Sequence, residues 1–398
     1  MILKHFALIP ELSGGLDGRG LAMELKDGKI AAIFADTESV AEPAFDCGGR
    51  TLLPGFVDLH THLNGLGKDR DSDVNVPMKV LVTAAELARH YLDYGFTTIR
   101  DCGSILRASI YTRELVNQGI IEGPRVIACG QTICPTETSA AASLKGMDDI
   151  SDGPDEVRRH VRREFAEGAD FIKIYASGSA FNPKGKPMQP IMMEDEVRMA
   201  VRVAQMKDAY VAAHAHCDKA IRLCVDTGVR TIEHATYLSE ETLDALLKKD
   251  DCYLVPTLAA MYCNPGSDSP FWKARLGAML EACGQNLNRA FKAGCKMGFG
   301  TDSIPAADKG QFREGIEFRY RKEYVGMDNL DIFCQATKYS AEIAGLGDCI
   351  GQVREGYEAD LVLVGGDPVA DLSVVYGKPD YVFKAGKLVR DNTTEAKA

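Results

Sequence analysis

A chain of 398 residues, 45% of them hydrophobic, is long enough to bury a large core, as two average domains or as one barrel with a smaller appendage. It carries 46 Lys and Arg against 57 Asp and Glu, a net charge of −11 without any block of like charge, so we expect no nucleic-acid partner. The start of the chain lacks a signal-like apolar run, no stretch of about 18 apolar residues follows, and the twelve cysteines form no C-x-x-C pair. We therefore expect a cytoplasmic protein that neither enters nor crosses a membrane.

The first 53 residues contain several short β-type runs around Gly-rich turns such as Asp27-Gly28-Lys29. This segment is too small to bury a good core alone. It needs a partner elsewhere in the chain.

Between residues 54 and 350, β-type runs alternate with helix-length amphipathic runs, such as the predicted helix Glu194–Lys207. This alternation is the pattern of parallel βα units, and eight strands close a (β/α)8 TIM barrel. Eight runs are predicted as strands: Gly55–His60, Thr97–Asp101, Arg125–Gly130, Phe171–Tyr175, Tyr210–His214, Thr231–His234, Tyr253–Thr257 and Met297–Asp302.

Residues 351–398 return to short β-type runs, with turns at Gly365-Gly366-Asp367-Pro368 and Ala385-Gly386-Lys387. Since neither end can bury a core alone, we expect residues 1–53 and 351–398 to pair into one small β-sandwich. The predicted fold is thus α/β, a TIM barrel with a sandwich built from both ends.

Five of the eight histidines lie at the carboxyl ends of predicted strands, where parallel barrels hold their active sites: His60, His62, His214, His216 and His234. In a strand, residues i and i+2 project to the same side, so the first two can bind one metal ion through their imidazole nitrogens. A lone buried histidine is usually a core residue, but a His-x-His at a strand end is a more specific signal.

Lys173 and Asp302 lie at the ends of two further predicted strands. Lys173 interrupts the apolar run Asp170–Tyr175, where an unpaired ammonium is costly, so it either reaches solvent or is modified. Carboxylation by carbon dioxide would turn it into a bridge between two metals. Asp302 is either a helix N-cap or, opposite the histidines, a metal ligand and general base.

These motifs resemble the amidohydrolase superfamily. The resemblance rests on Pro54–His62, Ile172–Gly178, Val211–His216, Glu233-His234, Thr301-Asp302 and the later Gly356–Val362, and so extends over nearly the whole chain. Within the superfamily, the chain is most similar to the branch of imidazolonepropionase-like proteins, Xaa-Pro dipeptidases, Lys/Arg carboxypeptidases and ochratoxinase-type amidases.

The resemblance implies a binuclear centre of two divalent ions, with zinc well suited to the ligands and iron, manganese or cobalt as alternatives. His60, His62 and Asp302 would bind the more buried ion. His214 and His234 would bind the more exposed ion, and carboxylated Lys173 would bridge the two. A metal-bridging hydroxide would attack the substrate carbonyl while Asp302, the catalytic residue, moves its proton to the departing amine.

Three residues are candidates for substrate contacts. His214 is preferred to His216 as the ligand because its twenty-residue interval to His234 matches this branch. His216 faces the same side and either contacts substrate or supports the ligands. Tyr175, two residues after Lys173, and Tyr237, just past His234, either face the cavity or serve only in packing.

The implied activity is cleavage of the amide C–N bond of a small substrate, such as an N-acyl amino acid or dipeptide, by a homo-oligomer. Hydrolysis of a cyclic amide of the hydantoin or imidazolone kind uses the same centre and is the main alternative. A mononuclear deaminase would not need Lys173 and usually has a glutamate just after the histidine of the fifth strand, where this chain has Ala215, His216, Cys217 and Asp218. A non-catalytic scaffold would be expected to have lost ligands. The loop from Gln131 to about residue 143 lacks the Gly-Gly-His of prolidase-like members.

Overall fold

The computed structural model of the chain describes residues 1–37, 44–63, 76–136, 148–180, 188–262, 270–303 and 314–393. Its strands are β1 (Ile2–Lys4), β2 (Ala7–Leu8), β3 (Leu21–Lys26), β4 (Lys29–Ala35), β5 (Ala44–Asp46), β6 (Thr51–Pro54), β7 (Phe56–Thr61), β8 (Phe96–Asp101), β9 (Arg125–Ala128), β10 (Thr132–Cys134), β11 (Asp148–Ile150), β12 (Ile172–Tyr175), β13 (Val211–Ala215), β14 (Thr231–His234), β15 (Tyr253–Val255), β16 (Leu361–Val364), β17 (Tyr381–Lys384) and β18 (Lys387–Asp391). Its α-helices are α1 (Val76–Asp93), α2 (Ala108–Asn117), α3 (Pro154–Ala166), α4 (Glu194–Gln205), α5 (Asp218–Thr227), α6 (Glu240–Leu246), α7 (Pro270–Lys292), α8 (Glu314–Tyr320), α9 (Asn329–Cys334) and α10 (Ser340–Ile343). Among these helices, none combines the length and the apolar character needed to cross a bilayer.

The middle of the chain is an α/β arrangement of parallel strands. In the described residues, six strands pair in the order β11-β10-β12-β13-β14-β15, and three more pair in the order β7-β8-β9. Every pair within these two sheets is parallel. Strands β7, β12, β13 and β14 are buried along their whole length, as expected of parallel strands covered on both faces.

The predicted strand Met297–Asp302 is present only as two single parallel bridges, between Met297 and Leu254 and between Ser303 and Thr61. This segment therefore pairs with β15 at one end and with β7 at the other. Two glycines and the positive φ of Asp302 (52°) interrupt the regular ladder between them.

The region after β9 also differs from the prediction. Strands β10 and β11 were not expected, and β10 rather than β9 pairs with β12, through Ile133 and Ile174. Residues 137–147, which include much of the loop that departs from the prolidase-like pattern, lie outside the described residues.

The two ends of the chain share one sheet and a hydrophobic core. β16 pairs antiparallel with β6 in a sheet of order β18-β17-β16-β6-β2, and a further sheet has the order β4-β3-β1-β5. Their apolar side chains form a cluster separate from that of the parallel sheets, including Leu3, Met23, Ile30, Leu361 and Phe383. Burial of these side chains, at roughly 2 kcal/mol each, stabilises the association of the ends.

Candidate metal centre

The candidate residues come together because the parallel strands end at one edge. His60 lies in β7, Lys173 in β12 and His214 in β13, while His234 is the last residue of β14. Each of these four side chains is at most 6% exposed. The carboxyl ends of neighbouring parallel strands thus supply one buried polar cluster.

The first donor group consists of His60, His62 and Asp302, whose ligand atoms lie within 4.8 Å of one another. The Oδ1 atom of Asp302 is 3.2 Å from Nε2 of His62 and 3.6 Å from Nε2 of His60. The backbone N–H of Asp302 donates to the carbonyl of His60 at 2.7 Å, which fixes the aspartate beside β7.

The second donor group consists of His214, His216 and His234, again with ligand atoms within 4.8 Å. The three rings lie 4.6 to 4.7 Å apart, centre to centre. The sequence analysis placed His214 and His234 in one ligand set and gave His216 a role in substrate contact or in supporting the ligands. The geometry puts all three within reach of one ion.

His234 reaches this group through a strained backbone. In β14, Glu233 is the cross-strand partner of His214 and His234 is that of Ala215, so regular alternation would point His234 away from the centre. A φ of 70° at His234 turns its side chain back towards the other rings. Asp302, with a φ of 52°, is also left-handed, and such strain, about 1–3 kcal/mol per residue, is concentrated at functional sites.

Lys173 lies beside His60 of the first group and is close enough to the second group to lower the pKa of His214 and His234 electrostatically. Its Nζ atom is 3.4 Å from Nε2 of His60, and the residue is 1% exposed. A lysine that reaches solvent, one of the two sequence interpretations, is therefore wrong. The register pairs Lys173 with Ala212 and Tyr175 with His214, so all four side chains are on one side of the sheet.

Burial and neighbouring charges shift the pKa values of the candidate ligands. Burial lowers the pKa of His60 and His216 to about 4, and holds the pKa of His214 and His234 well below the ordinary 6.5. Burial alone would raise the pKa of Asp302, but the adjacent histidines hold it below its usual range. Burial would lower the pKa of His62, but the hydrogen bond and charge of Asp302 raise it above the ordinary 6.5. Imidazole nitrogens and a carboxylate are donors that divalent metal ions accept, so these residues fit such ions.

Hydrogen bonds fix the outer nitrogens of several rings. The Nδ1 atom of His62 lies 2.8 Å from the carbonyl of Gly103, and that of His234 lies 2.6 Å from Oγ1 of Thr257. These contacts leave the opposite nitrogen, Nε2, to face the centre.

Sequence reasoning missed the polar support behind His60. The Nδ1 atom of His60 lies 2.7 Å from Glu233, which in turn lies 2.8 Å from Arg100. Burial would raise the pKa of Glu233, but the charge of Arg100 and the hydrogen bond with His60 lower it to about 2. The carboxylate of Asp101, the sequence neighbour of Arg100, accepts from the backbone N–H groups of Leu63 and Gly103.

The two tyrosines proposed as substrate contacts lie next to the second donor group. The Tyr175 ring stacks on His214 with centres 4.5 Å apart. Tyr237 is half-buried, and its backbone N–H donates to the carbonyl of His216 at 2.9 Å. Both tyrosines are thus within the surroundings of the centre, and their contact with substrate stays a prediction.

Comparison with known proteins gives consistent matches. Residues 51–389 match the family model described as the amidohydrolase family. Ochratoxinase of Aspergillus niger is 27% identical over 373 residues, which cover 85% of this chain and 75% of that protein. Imidazolonepropionase of Streptomyces avermitilis is 22% identical, with coverage of 95% and 90%.

Among solved structures, a Xaa-Pro dipeptidase with methionine bound in its active site is 27% identical and superposes with a TM-score of 0.86. The match covers 98% of this chain and 99% of that one. With the family model matched over most of its length, the chain belongs to the amidohydrolase family and is a hydrolase acting on carbon–nitrogen bonds.

Proposed function

We propose that this hydrolase is a binuclear, metal-dependent enzyme that cleaves the amide C–N bond of a small substrate such as an N-acyl amino acid or a dipeptide. The observation that carries the proposal is the pair of donor groups, His60 with His62 and Asp302, and His214 with His234, around the buried Lys173. Relatives named ochratoxinase and Xaa-Pro dipeptidase support amide substrates.

The first group would hold one divalent ion and the second group the other. Lys173, 1% exposed and beside an imidazole, would be carboxylated, because a carboxylate offers an oxygen to each ion whereas an ammonium repels both. Zinc accepts this mixture of nitrogen and oxygen donors. When bound, such ions polarise a substrate carbonyl and lower the pKa of water.

Asp302 would act as the proton carrier. Its side chain is 15% exposed, against 1% for His60 and 6% for His62, so it is the member of the first group most open to substrate. Its low pKa keeps it a carboxylate, able to accept the proton of the attacking water and return it to the departing amine. His216, Tyr175 and Tyr237 would contact the substrate beside the second group.

We further propose that the two parallel sheets are arcs of one (β/α)8 barrel of residues 54–350. The bridges from residues 297–303 to β15 and β7 support closure at that point. Residues 1–53 and 351–398 would form the β-sandwich, and the enzyme would act as a cytoplasmic homo-oligomer.

The test is a substrate screen on zinc-loaded protein prepared with bicarbonate. N-acyl amino acids and dipeptides should release an amine or amino acid, with at least a hundredfold loss of turnover in Asp302→Asn, the effect expected of a lost proton carrier. Hydantoins and imidazolones test the cyclic-amide alternative, which the imidazolonepropionase relative favours. Turnover of ring substrates alone, or release of ammonia from aminopyrimidines, would overturn the proposal.

A further inference from the structure

Arg100 is fully buried, and its guanidinium group donates hydrogen bonds to three polar groups. It is 0% exposed and lies on β8, the strand next to the one that carries His60. Its Nε donates to the carbonyl of Leu59 at 2.6 Å, its Nη1 to Oγ1 of Thr231 at 3.0 Å, and its Nη2 to Oε1 of Glu233 at 2.8 Å. Leu59 directly precedes His60, so Arg100 is bound to the backbone that positions this histidine.

Glu233 links Arg100 to the ring of His60. Its Oε1 accepts from Arg100 and, at 2.6 Å, from Thr231, while its Oε2 lies 2.7 Å from Nδ1 of His60. Both carboxylate oxygens are therefore engaged, and the side chain, 0% exposed, cannot turn away. Because a carboxylate only accepts, His60 must donate from Nδ1, and its Nε2 keeps the free lone pair.

Aromatic rings hold the guanidinium in place. Its central carbon is 5.2 Å from the centre of the Phe171 ring and 6.0 Å from that of Tyr210, and these two rings stack on each other. The position of Arg100 is thus determined by packing as well as by hydrogen bonds. Cys102 forms with His60 and Glu233 a third group of possible metal donors, but in that group Glu233 is already bound by the arginine cation.

We propose that Arg100 is a positioning residue for the metal centre, holding Glu233 so that His60 presents Nε2 to a metal ion in one fixed orientation and tautomer. This inference rests on the proposed function, in which His60 is a ligand. A purely structural role would appear as a loss of folding stability alone, whereas the contacts of Arg100 and Glu233 with His60 predict a loss of metal affinity as well.

The matched control is Arg321, a second fully buried arginine. It is 0% exposed, donates to Glu317 at 2.8 Å, and lies 4.7 Å from the centre of the Phe299 ring. Its other hydrogen bonds go to Gln335 and to the carbonyls of Pro256 and Gly298. Arg321→Met therefore breaks a comparable buried ion pair without removing the support of His60.

The experiment measures metal affinity, which needs no substrate. Four full-length proteins are compared: the parent, Arg100→Met, Arg100→Lys and Arg321→Met. Each is stripped of metal by a chelator and titrated with Zn²⁺ and Co²⁺ against a chromophoric competitor. The unfolding midpoint of each protein is also recorded. We expect Arg100→Met to lose about 10- to 100-fold in affinity for the more tightly bound ion and to alter the Co²⁺ absorption spectrum. Arg100→Lys should recover part of the loss, because an ammonium can still donate to Glu233.

Arg321→Met should lower the unfolding midpoint while keeping the parent's affinity. The inference fails if Arg100→Met binds metal like the parent, or if Arg321→Met loses as much affinity as Arg100→Met. Should Arg100→Met not fold, Glu233→Gln carries the same test, since it keeps the side chain's size and removes its charge. If the parent binds metal but cleaves no amide, the proposed function alone is wrong. If the parent binds no metal, the proposed function and the positioning role of Arg100 are both wrong.

Discussion

Replacing Gly300 by alanine should displace the first donor group, because the added methyl group lies against His60. A Cβ atom at this position would lie 2.9 Å from Cβ of His60, 2.9 Å from Cγ1 of Val255 and 3.3 Å from Cγ2 of Thr257. Carbon atoms in contact are normally about 3.5–4.0 Å apart. The backbone at residue 300 must therefore move away from His60 and Val255 by roughly 0.6 Å or more. Because His60 and Asp302 are tied by a backbone hydrogen bond, they would shift relative to the second donor group.

Overpacking of this size costs about 1–3 kcal/mol of folding free energy, and displacement of a reacting group by about 1 Å costs on the order of a hundredfold in rate. The assays are unfolding in urea, metal content per chain, and turnover of an amide substrate. Gly277→Ala is the control: this glycine lies in α7, and a Cβ there would meet nothing within 4 Å. The Gly277→Ala protein should gain up to about 1 kcal/mol of folding free energy and keep full activity. A Gly300→Ala protein with the parent's metal content and turnover would refute the reasoning.

Two further substitutions test other parts of the account. His214→Asn should lose one metal ion per chain, whereas His216→Asn should keep both ions and raise the KM for substrate. If only His216→Asn lost metal, His216 would be the ligand and His214 the substrate contact. Asp360→Asn should cost about 2 kcal/mol, because its carboxylate accepts from Arg125 at 3.0 Å and from Lys384 at 2.8 Å. Burial would raise the pKa of Asp360, but Lys384 and Arg125 lower it below the ordinary 3.8, so its contribution is present above about pH 4 and is lost as the pH falls further. In urea unfolding, the parent should therefore have a higher free energy of unfolding than Asp360→Asn at pH 7, and the two values should converge at low pH. An equal difference at both pH values would contradict a stabilising role for the Asp360 ion pairs.

The convergence of the candidate ligands could be predicted from the sequence because it follows from two regularities. Residues i and i+2 of a strand share a side, which placed His60 with His62, and parallel strands end at one edge, which brought these residues near Lys173 and His214. Both regularities are local or topological, and neither requires knowledge of side-chain contacts.

The support behind the ligands could not be predicted because it depends on contacts between distant residues. Arg100 and Glu233 are 133 residues apart, and the sequence gives no signal that the arginine crosses to β14 rather than pairing with Asp101. The left-handed backbone of His234 is equally hidden, since regular alternation predicts the opposite orientation for its side chain. Strands β10 and β11 are short, and their pairing depends on the neighbouring strands rather than on a pattern of their own.

The proposal of a binuclear centre bridged by Lys173 is tested most directly by metal content per chain, measured by plasma emission on protein prepared with bicarbonate and on Lys173→Ala. The account predicts about two metal ions in the parent, with both metal content and activity lost in the variant. One ion in each protein, unaffected by the loss of Lys173, would contradict it and direct the search towards mononuclear deaminases and imidazolone hydrolases.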